Sequence, residues 1–499
     1  MIPALEEITT RANARLTALE AEMARRRLLA DPVLWAQNRL GDHLWSAQKR
    51  IIESVRDNRR TAVQSCHEIG KSYIASVIAG WWLDINPPGE AFVVTSAPTG
   101  AQVRVILWRE IGRVHARGRL KGRVNQTEWL MVMPDGNEEI VAFGRKPDEY
   151  DPAAFQGIHA RKVLYIFDEA NGIRGPLFEA ADSLIANDEG KALLISNPDD
   201  PQGEFYDACK PGSGWNVIEV GAFDTPNFTG EDIPLTLSRM LIGKVYVEEK
   251  RRKWAPNWRW TDDGTRCVPL IGTESEETNP LWQSKILGKF PEVSESGGLI
   301  PISWIKSAQL RSLEAFGLNE LGVDVGGGGD SSCVAHRHGP VVRIVREDKN
   351  PDTMSTCGNV IADLERWRAT SAKIDEIGIG RGIVNRGTEL NKPFIGINVG
   401  AGAKNPAAFM NLRAELWWNI RERFESGEID IDPADDDLAA ELCALRYHRT
   451  SSGKIQIESK DQAKKRGYGS PNRADALMLA FASPEKKIIR KATWGRVKH

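Results

Sequence analysis

The sequence predicts an α/β protein in two parts, with a doubly wound, mostly parallel sheet in the first half and a smaller α/β unit in the second. Two observations carry that prediction. Short apolar runs alternate with helical patterns from about residue 60 to 225, and such alternation builds a parallel sheet. From about 318, three strand-like runs follow one another across glycine turns, the pattern of an antiparallel meander, before helices return.

Taken in order, Leu5, Ile8, Ala12, Leu16, Leu19 and Met23 recur at helical spacing among charges and predict an amphipathic helix over 4–29, within an N-terminal segment 1–39. A domain over 40–225 follows: strand Thr61–Ser65, apolar helix 71–84, strand Glu90–Ser96, helix 100–115, and the short buried strands Val163–Phe167 and Ala192–Ser196. The stretch 226–310 holds a Pro-Asn-Phe-Thr-Gly turn, a charged run at 248–254 and clustered Trp, Gly and Pro, which predict a linker or small subdomain. In 311–485 the meander is Leu321–Val325, Ser331–His336 and Val341–Arg346. A helix (353–368), strands Ala372–Glu376 and Phe394–Val399, a helix (406–426), a hairpin at Ser451–Gly453 and a final helix (471–483) complete that unit. A basic tail, 486–499, follows.

Composition narrows the function classes. With 499 residues, 41% hydrophobic and 27% charged, there is apolar mass for more than one core. Lys and Arg number 66 against 68 Asp and Glu, a net charge of −2 that excludes a uniformly basic nucleic-acid coat but permits local basic faces. The most apolar run, Tyr73–Leu83, falls far short of the ~20 residues that span a bilayer. The N-terminus lacks an apolar signal core, so neither a membrane nor a secreted setting is expected. Six scattered cysteines without a C-x-x-C pair indicate neither a disulfide framework nor a zinc site, and fit a reducing cytoplasm. Composition does not explain the 16 tryptophans.

The first chemical constellation is Ser65-Cys-His67-Glu-Ile-Gly70-Lys71-Ser72, after a strand and at the start of a helix. There the backbone amides and helix N-terminus face phosphates, Lys71 supplies charge to the β/γ oxygens and Ser72 offers a hydroxyl to Mg²⁺. Val163–Phe167 then delivers Asp168 and Glu169, the first placed to hold a metal-bound water and the second to take a proton from the attacking water. Two adjacent acids at the end of a buried strand call for a cation. Ser196-Asn197-Pro198 closes a third strand and reads either as a γ-phosphate sensor or as an Asn-Pro turn. Gln48 is placed to read the adenine edge or simply to face solvent. Arg109, Arg113 and Arg117 form one helical stripe within a basic stretch, 104–123, that grips a phosphate backbone, reaches a neighbouring subunit's nucleotide or faces solvent.

The second constellation is three acids: Asp324 on an otherwise apolar strand, Asp375 on a later one, and Asp475 among core-like residues of the last helix. If the strands are neighbours and the helix packs on them, the three converge and hold two Mg²⁺ or Mn²⁺ ions roughly 4 Å apart, clamping the oxygens of a phosphodiester. Carboxylates select such hard ions.

In these motifs the chain resembles the large terminase subunit of tailed double-stranded DNA bacteriophages, over roughly 40–485. Ala154-Phe-Gln-Gly-Ile-His-Ala160, Ser196-Asn-Pro with Gly203-Glu-Phe-Tyr, Leu299-Ile-Pro-Ile-Ser-Trp-Ile305 and Ser470-Pro-Asn-Arg-Ala-Asp-Ala-Leu477 add to the likeness. The resemblance implies an N-terminal P-loop ATPase of the additional-strand type that translocates DNA and a C-terminal ribonuclease H-like nuclease. It also implies a small terminase partner, a portal-bound homo-oligomeric ring during packaging with a monomer in solution, and work in the cytoplasm of an infected bacterium. By the same resemblance Ser65, His67, Gly70, Lys71, Ser72 and Asp168 bind ATP with Mg²⁺, Glu169 is catalytic, Ser196 and Asn197 couple, and Asp324, Asp375 and Asp475 ligate the nuclease ions. The chain departs from the family pattern at Ser65 (a glycine elsewhere), at His67 (often arginine) and at Asn472 (often an acid), which leaves Asp475 as the ligand expected from the last motif.

The function expected is therefore an ATP-driven motor that moves double-stranded DNA, joined to a metal-dependent endonuclease. The alternatives are a helicase-type DNA-repair ATPase with a degenerate nuclease-like domain, or a non-catalytic protein retaining both folds.

Overall fold

The computed structural model describes residues 30–145, 160–291 and 298–483, apart from 174, 271–278, 328–329, 351, 451 and 467, together with Arg15 and Met23. The helix expected over 4–29 lies almost wholly outside the described residues, as do 154–159 of the Ala154–Ala160 motif and the tail from 484. The chain divides into two compact units, 1–293 and 294–499. The stretch expected as a linker, 226–310, is divided between them. Its first part is drawn into the first unit because Trp254, Leu281 and Trp282 are buried there.

The first unit is an eight-stranded sheet in the order β3-β4-β5-β2-β6-β7-β1-β8. Its strands are β1 (Arg60–Ser65), β2 (Ala91–Ser96), β3 (Arg123–Val124), β4 (Glu128–Val132), β5 (Glu138–Arg145), β6 (Lys162–Asp168), β7 (Lys191–Ser196) and β8 (Asn216–Val220). From β5 to β8 all neighbours pair in parallel, and β3–β4–β5 form an antiparallel edge. The central strands β1, β6 and β7 are buried along nearly their whole length, as strands covered on both faces must be. Tyr165, Phe167, Ala192 and Leu194 lie in one core cluster.

Sequence patterning missed β3, β4, β5 and β8. In β5 only the second half turns apolar side chains inward, so its alternation is broken. The helix expected at 100–115 runs as a π-helical segment, Gln102–Leu107, and then an α-helix, Trp108–Gly118. The residues 226–293 add the helix Lys244–Trp254 and a hairpin of β9 (Trp258–Trp260) and β10 (Cys267–Pro269). Trp35, Trp45, Trp108, Trp129, Trp254 and Trp282 are fully buried in this unit, which accounts for much of the tryptophan content.

The second unit is a five-stranded sheet in the order β13-β12-β11-β14-β15. Its strands are β11 (Asn319–Asp324), β12 (Ser332–His338), β13 (Val341–Asp348), β14 (Ala372–Asp375) and β15 (Phe394–Ile397). The first three form the expected antiparallel meander, and β11, β14 and β15 pair in parallel, the ribonuclease H-like arrangement. A small hairpin, β16 (Tyr447–Arg449) with β17 (Ile455–Ile457), stands apart from this sheet. The helix expected at 406–426 begins only at Leu412, because the Asn411 side chain accepts the Ala414 N–H and caps it. Helices Gly380–Glu389 and Asp436–Ala444 were not anticipated; glycines at 380, 382 and 387 hid the first.

The last helix, Asn472–Phe481, packs across β11 and β12. Gly322 makes that approach possible. A Cβ there would stand 2.1 Å from Ala476 O and 2.2 Å from Ala480 N, so only glycine lets the helix lie this close to β11.

Candidate functional site

Two constellations form, one in each unit. In the first unit, β7 lies between β1 and β6, so the carboxyl ends of three adjacent parallel strands meet. This is where open α/β sheets bind ligands. Strand β1 ends at Ser65 and the helix Lys71–Ile85 begins six residues later. The connecting turn uses two left-handed residues, Glu68 at φ 51° and Gly70 at φ 83°. A Cβ on Gly70 would also meet Gln48 Nε2 at 2.8 Å, so glycine is required there twice over. The loop backbone is tied down, with Cys66 N–H donating to Val220 O at 2.8 Å, His67 N–H to Lys285 O at 3.0 Å, and Ile242 N–H to Glu68 O at 3.1 Å.

Lys71 is largely buried, and its ammonium donates to Asn197 Oδ1 at 3.1 Å and Cys66 O at 3.4 Å, with Glu169 Oε1 3.8 Å away. Ser72 Oγ donates to Asp168 Oδ2 at 2.7 Å. Asp168 is buried and its other oxygen, Oδ1, has no partner among the described residues. Burial, then the adjacent Glu169 carboxylate, push the Asp168 carboxyl up to about 6. Glu169 itself adopts a left-handed backbone, φ 53° and ψ 47°, uncommon for a residue with a Cβ and frequent where geometry is set by function. Ser196 Oγ donates to Glu169 Oε2 at 3.3 Å, and Asn197 Nδ2 donates to Ser65 O at 2.6 Å. Thus Ser65, Lys71, Ser72, Asp168, Glu169, Ser196 and Asn197 are brought together.

Gln48 is fully buried and gives its amide hydrogen to Ile69 O at 3.3 Å, bracing the loop from beneath. The alternative of a solvent-facing side chain is therefore corrected. In the arginine stripe, Arg113 pairs with Glu110 at 2.7 Å and Arg117 with Asp42 at 2.6 Å, while Arg109 stays more than half exposed.

In the second unit, Asp324 ends β11, Asp375 ends the adjacent parallel β14, and Asp475 lies in the first turn of the helix that presses on β11. Burial, then the Asp475 charge, push the Asp324 carboxyl up to about 8. Burial raises Asp375 as well, with Asp475 adding to it. Asp475 Oδ1 is buried without a partner among the described residues, and its Oδ2 faces Lys460 Nζ at 3.2 Å. Burial pulls the Lys460 ammonium down, but the charges of Asp475 and Asp324 outweigh it and the net shift is upward. Among the described residues, no three His, Cys, Asp or Glu side chains are grouped as an ion-holding set, and the cation that Asp475 meets is Lys460.

The donor chemistry of each site suits a hard divalent ion, with mutually repelling carboxylates and one carboxylate oxygen that has no partner among the described residues, while Lys460 supplies the counter-charge at the second.

Sequence reasoning missed Lys460, which turns to Asp475 in a stretch where Arg466 pairs with Glu458 at 2.6 Å. It also missed the clamp on the last helix. Glu441 accepts the Ala474 N–H at 2.9 Å, while Arg473 pairs with Glu347 and with Asp435 at 2.8 Å. Burial lifts Glu441 well above the ordinary carboxyl range. The only sequence signal nearby is the capping box of Ser459 and Gln462, which marks a helix start but not what Lys460 faces.

No family model matches the chain. It is 24% identical over 479 residues, 89% of either chain, to a probable terminase large subunit of Enterobacteria phage P7. Among solved structures, the large terminase of the thermophilic bacteriophage D6E is 12% identical over 88% of this chain and 98% of that one, with a TM-score of 0.39. The nuclease domain of the large terminase subunit of bacterial virus Sf6 is 24% identical over 38% of this chain and 99% of that one, with a TM-score of 0.32. No helix among the described residues is long and apolar enough to cross a membrane. The likeness carried by the motifs thus extends along most of the chain, which is similar to the large subunit of a phage terminase.

Proposed function

We propose that the protein is an ATP-driven motor for double-stranded DNA joined to a divalent-metal-dependent endonuclease, acting in viral genome packaging. The observation that carries this reading is the pairing of two distinct buried carboxylate sites in separately packed units, one of them built onto a lysine-bearing phosphate-type loop. In the first site Lys71 would leave Asn197 and Cys66 for the β/γ oxygens of ATP, and Glu169, steadied by Ser196, would accept the proton of the attacking water. Ser72 and Asp168 would hold Mg²⁺, and Asp324, Asp375 and Asp475 two Mg²⁺ or Mn²⁺. These ions would supply positive charge against the negative charge that develops on phosphoryl oxygens. His67 and Gly70 shape the loop, and Asn197 links it to β7.

DNA contacts of a motor that grips any sequence would go to phosphates, so affinity would fall steeply with salt. A small terminase subunit, a portal protein and a homo-oligomeric ring in the cytoplasm of the infected bacterium complete the reading, which rests on the similarity to the P7 protein. The test is a separation of functions. Glu169→Ala is expected to abolish ATP hydrolysis and spare Mn²⁺-dependent plasmid cleavage, and Asp375→Ala to do the reverse. Wild-type activity in either variant would remove that site from the mechanism.

A further inference from the structure

The loop after Asp375 carries an exposure that the acid chemistry does not use. Ile377 is 54% exposed and Ile379 43% exposed, in the run Asp375-Glu-Ile-Gly-Ile-Gly-Arg-Gly382. The loop is closely held. Ile377 N–H donates to Asp375 Oδ1 at 3.1 Å, and a Cβ on Gly380 would stand 1.8 Å from Asp375 O. Gly378, between the two isoleucines, takes a left-handed φ of 67°. A Cβ on Gly327, in the loop after β11, would meet Ile379 Cδ1 at 2.9 Å, and one on Gly400, after β15, would meet Ile377 Cδ1 at 3.3 Å. The two side chains therefore reach over bare main chain at the same sheet end that presents Asp324 and Asp375.

A phosphate backbone gives no reason for exposed aliphatic groups beside carboxylates. Phosphate contact draws on cations and polar N–H or O–H donors, and this run has one exposed cation, Arg381 in the helix that follows, 64% exposed and 3.7 Å from Glu376. Aliphatic side chains at a nucleic-acid interface act on sugars and base steps, where inserted wedges unstack and kink a duplex. We propose that Ile377 and Ile379 form an apolar wedge that enters the groove of duplex DNA at the step being cut, unstacks it and bends its phosphate towards the acids. The proposal rests on the nuclease reading of Asp324, Asp375 and Asp475. It gives the site a preference for easily kinked pyrimidine–purine steps without hydrogen bonds to bases.

The experiment uses the full chain and a duplex carrying 2-aminopurine at a single TA step, with Ca²⁺ for binding and Mn²⁺ for cutting. Fluorescence is expected to rise with the wild-type protein and to stay flat with the double variant Ile377→Ser, Ile379→Ser. Duplex cutting by that variant is expected to fall roughly ten-fold or more, while cutting of the same sequence with an unpaired step is unchanged. The double variant Ile377→Leu, Ile379→Leu keeps the apolar bulk and is expected to restore both signals. Equal loss on both substrates assigns the loop to support of the acids alone, and no loss on either shows that it touches no DNA; each overturns the wedge. Unchanged unstacking by the serine variant together with weakened self-association assigns the pair to a protein contact and overturns it as well. Protein that unstacks the probe but fails to cut with Mn²⁺ upholds the wedge and defeats the nuclease reading, which keeps the two failures apart.

Discussion

Asp324→Asn tests the electrostatics of the second site most directly. The Asp324 carboxyl is moved from its ordinary 3.8 to about 8, first by burial and then by Asp475. A carboxyl raised in this way keeps, in the folded chain, a proton that the unfolded chain has released. Its contribution to stability is therefore fully present below about pH 4 and is lost as pH rises to about 8. One such group changes stability by at most about 1.4 kcal/mol per pH unit, and the electrostatic coupling of Asp324 to the charges around it brings the expected slope to about 1 kcal/mol per unit. In EDTA, calorimetric scans at pH 5, 6, 7 and 8 should show Asp324→Asn gaining steadily on the wild type in the transition of the second unit and levelling off above pH 8. Adding Mn²⁺ at pH 8 should reverse the order, because the wild-type carboxylate then has a counter-ion that asparagine lacks. A difference that does not vary with pH, or one that favours the wild type in EDTA as pH rises, would refute the reasoning.

Other outcomes follow from the same geometry. Gly322→Ala places a methyl against Ala476 O and should cost about 2 kcal/mol in the second unit. It should lower cleavage while ATP hydrolysis is retained, and equal loss of both activities would contradict it. Gly70→Ala meets both the left-handed backbone and Gln48, so the KM for ATP should rise several-fold while DNA cleavage is unchanged. Lys460→Met removes a cation that holds Asp324 and Asp375 down, so these two carboxyls should keep their protons to higher pH and the pH–rate profile of cleavage should move upward. A downward move would show that Lys460 does not act on these acids. Filter binding from 50 to 200 mM salt should show duplex affinity falling with a steep logarithmic slope, and a flat curve would exclude phosphate-led gripping.

Residues whose chemistry is local were legible in the sequence. Lys71 and Ser72 open a helix one short turn after a strand, and Asp168 closes an apolar run, so each announces its own surroundings. Asp324, Asp375 and Asp475 stood out because an acid among apolar neighbours needs an explanation, and what the sequence order conveyed was their placement, two on adjacent strands and one on the helix packed over β11. Lys460 was not legible, because its meaning lies in Asp475, and a lysine in a charged run looks like any solvated lysine. The same holds for Glu441, whose partner is a backbone N–H of another helix. Strand β5 escaped because its outer half is solvated and carries no alternation. Burial at Gln48 escaped because nothing in the sequence shows that Gly70 lies directly above it.

Asn197 holds the main chain of Ser65 through its nitrogen and the ammonium of Lys71 through its oxygen. An aspartate at this position would keep the grip on the lysine and drop the strand, and an aliphatic residue would drop both. On the function proposed above, a nucleotide that drew Lys71 away would free one end of this amide and leave the other tied to Ser65, so occupancy at the loop would be felt at the tip of β7, between the two strands that carry the chemistry.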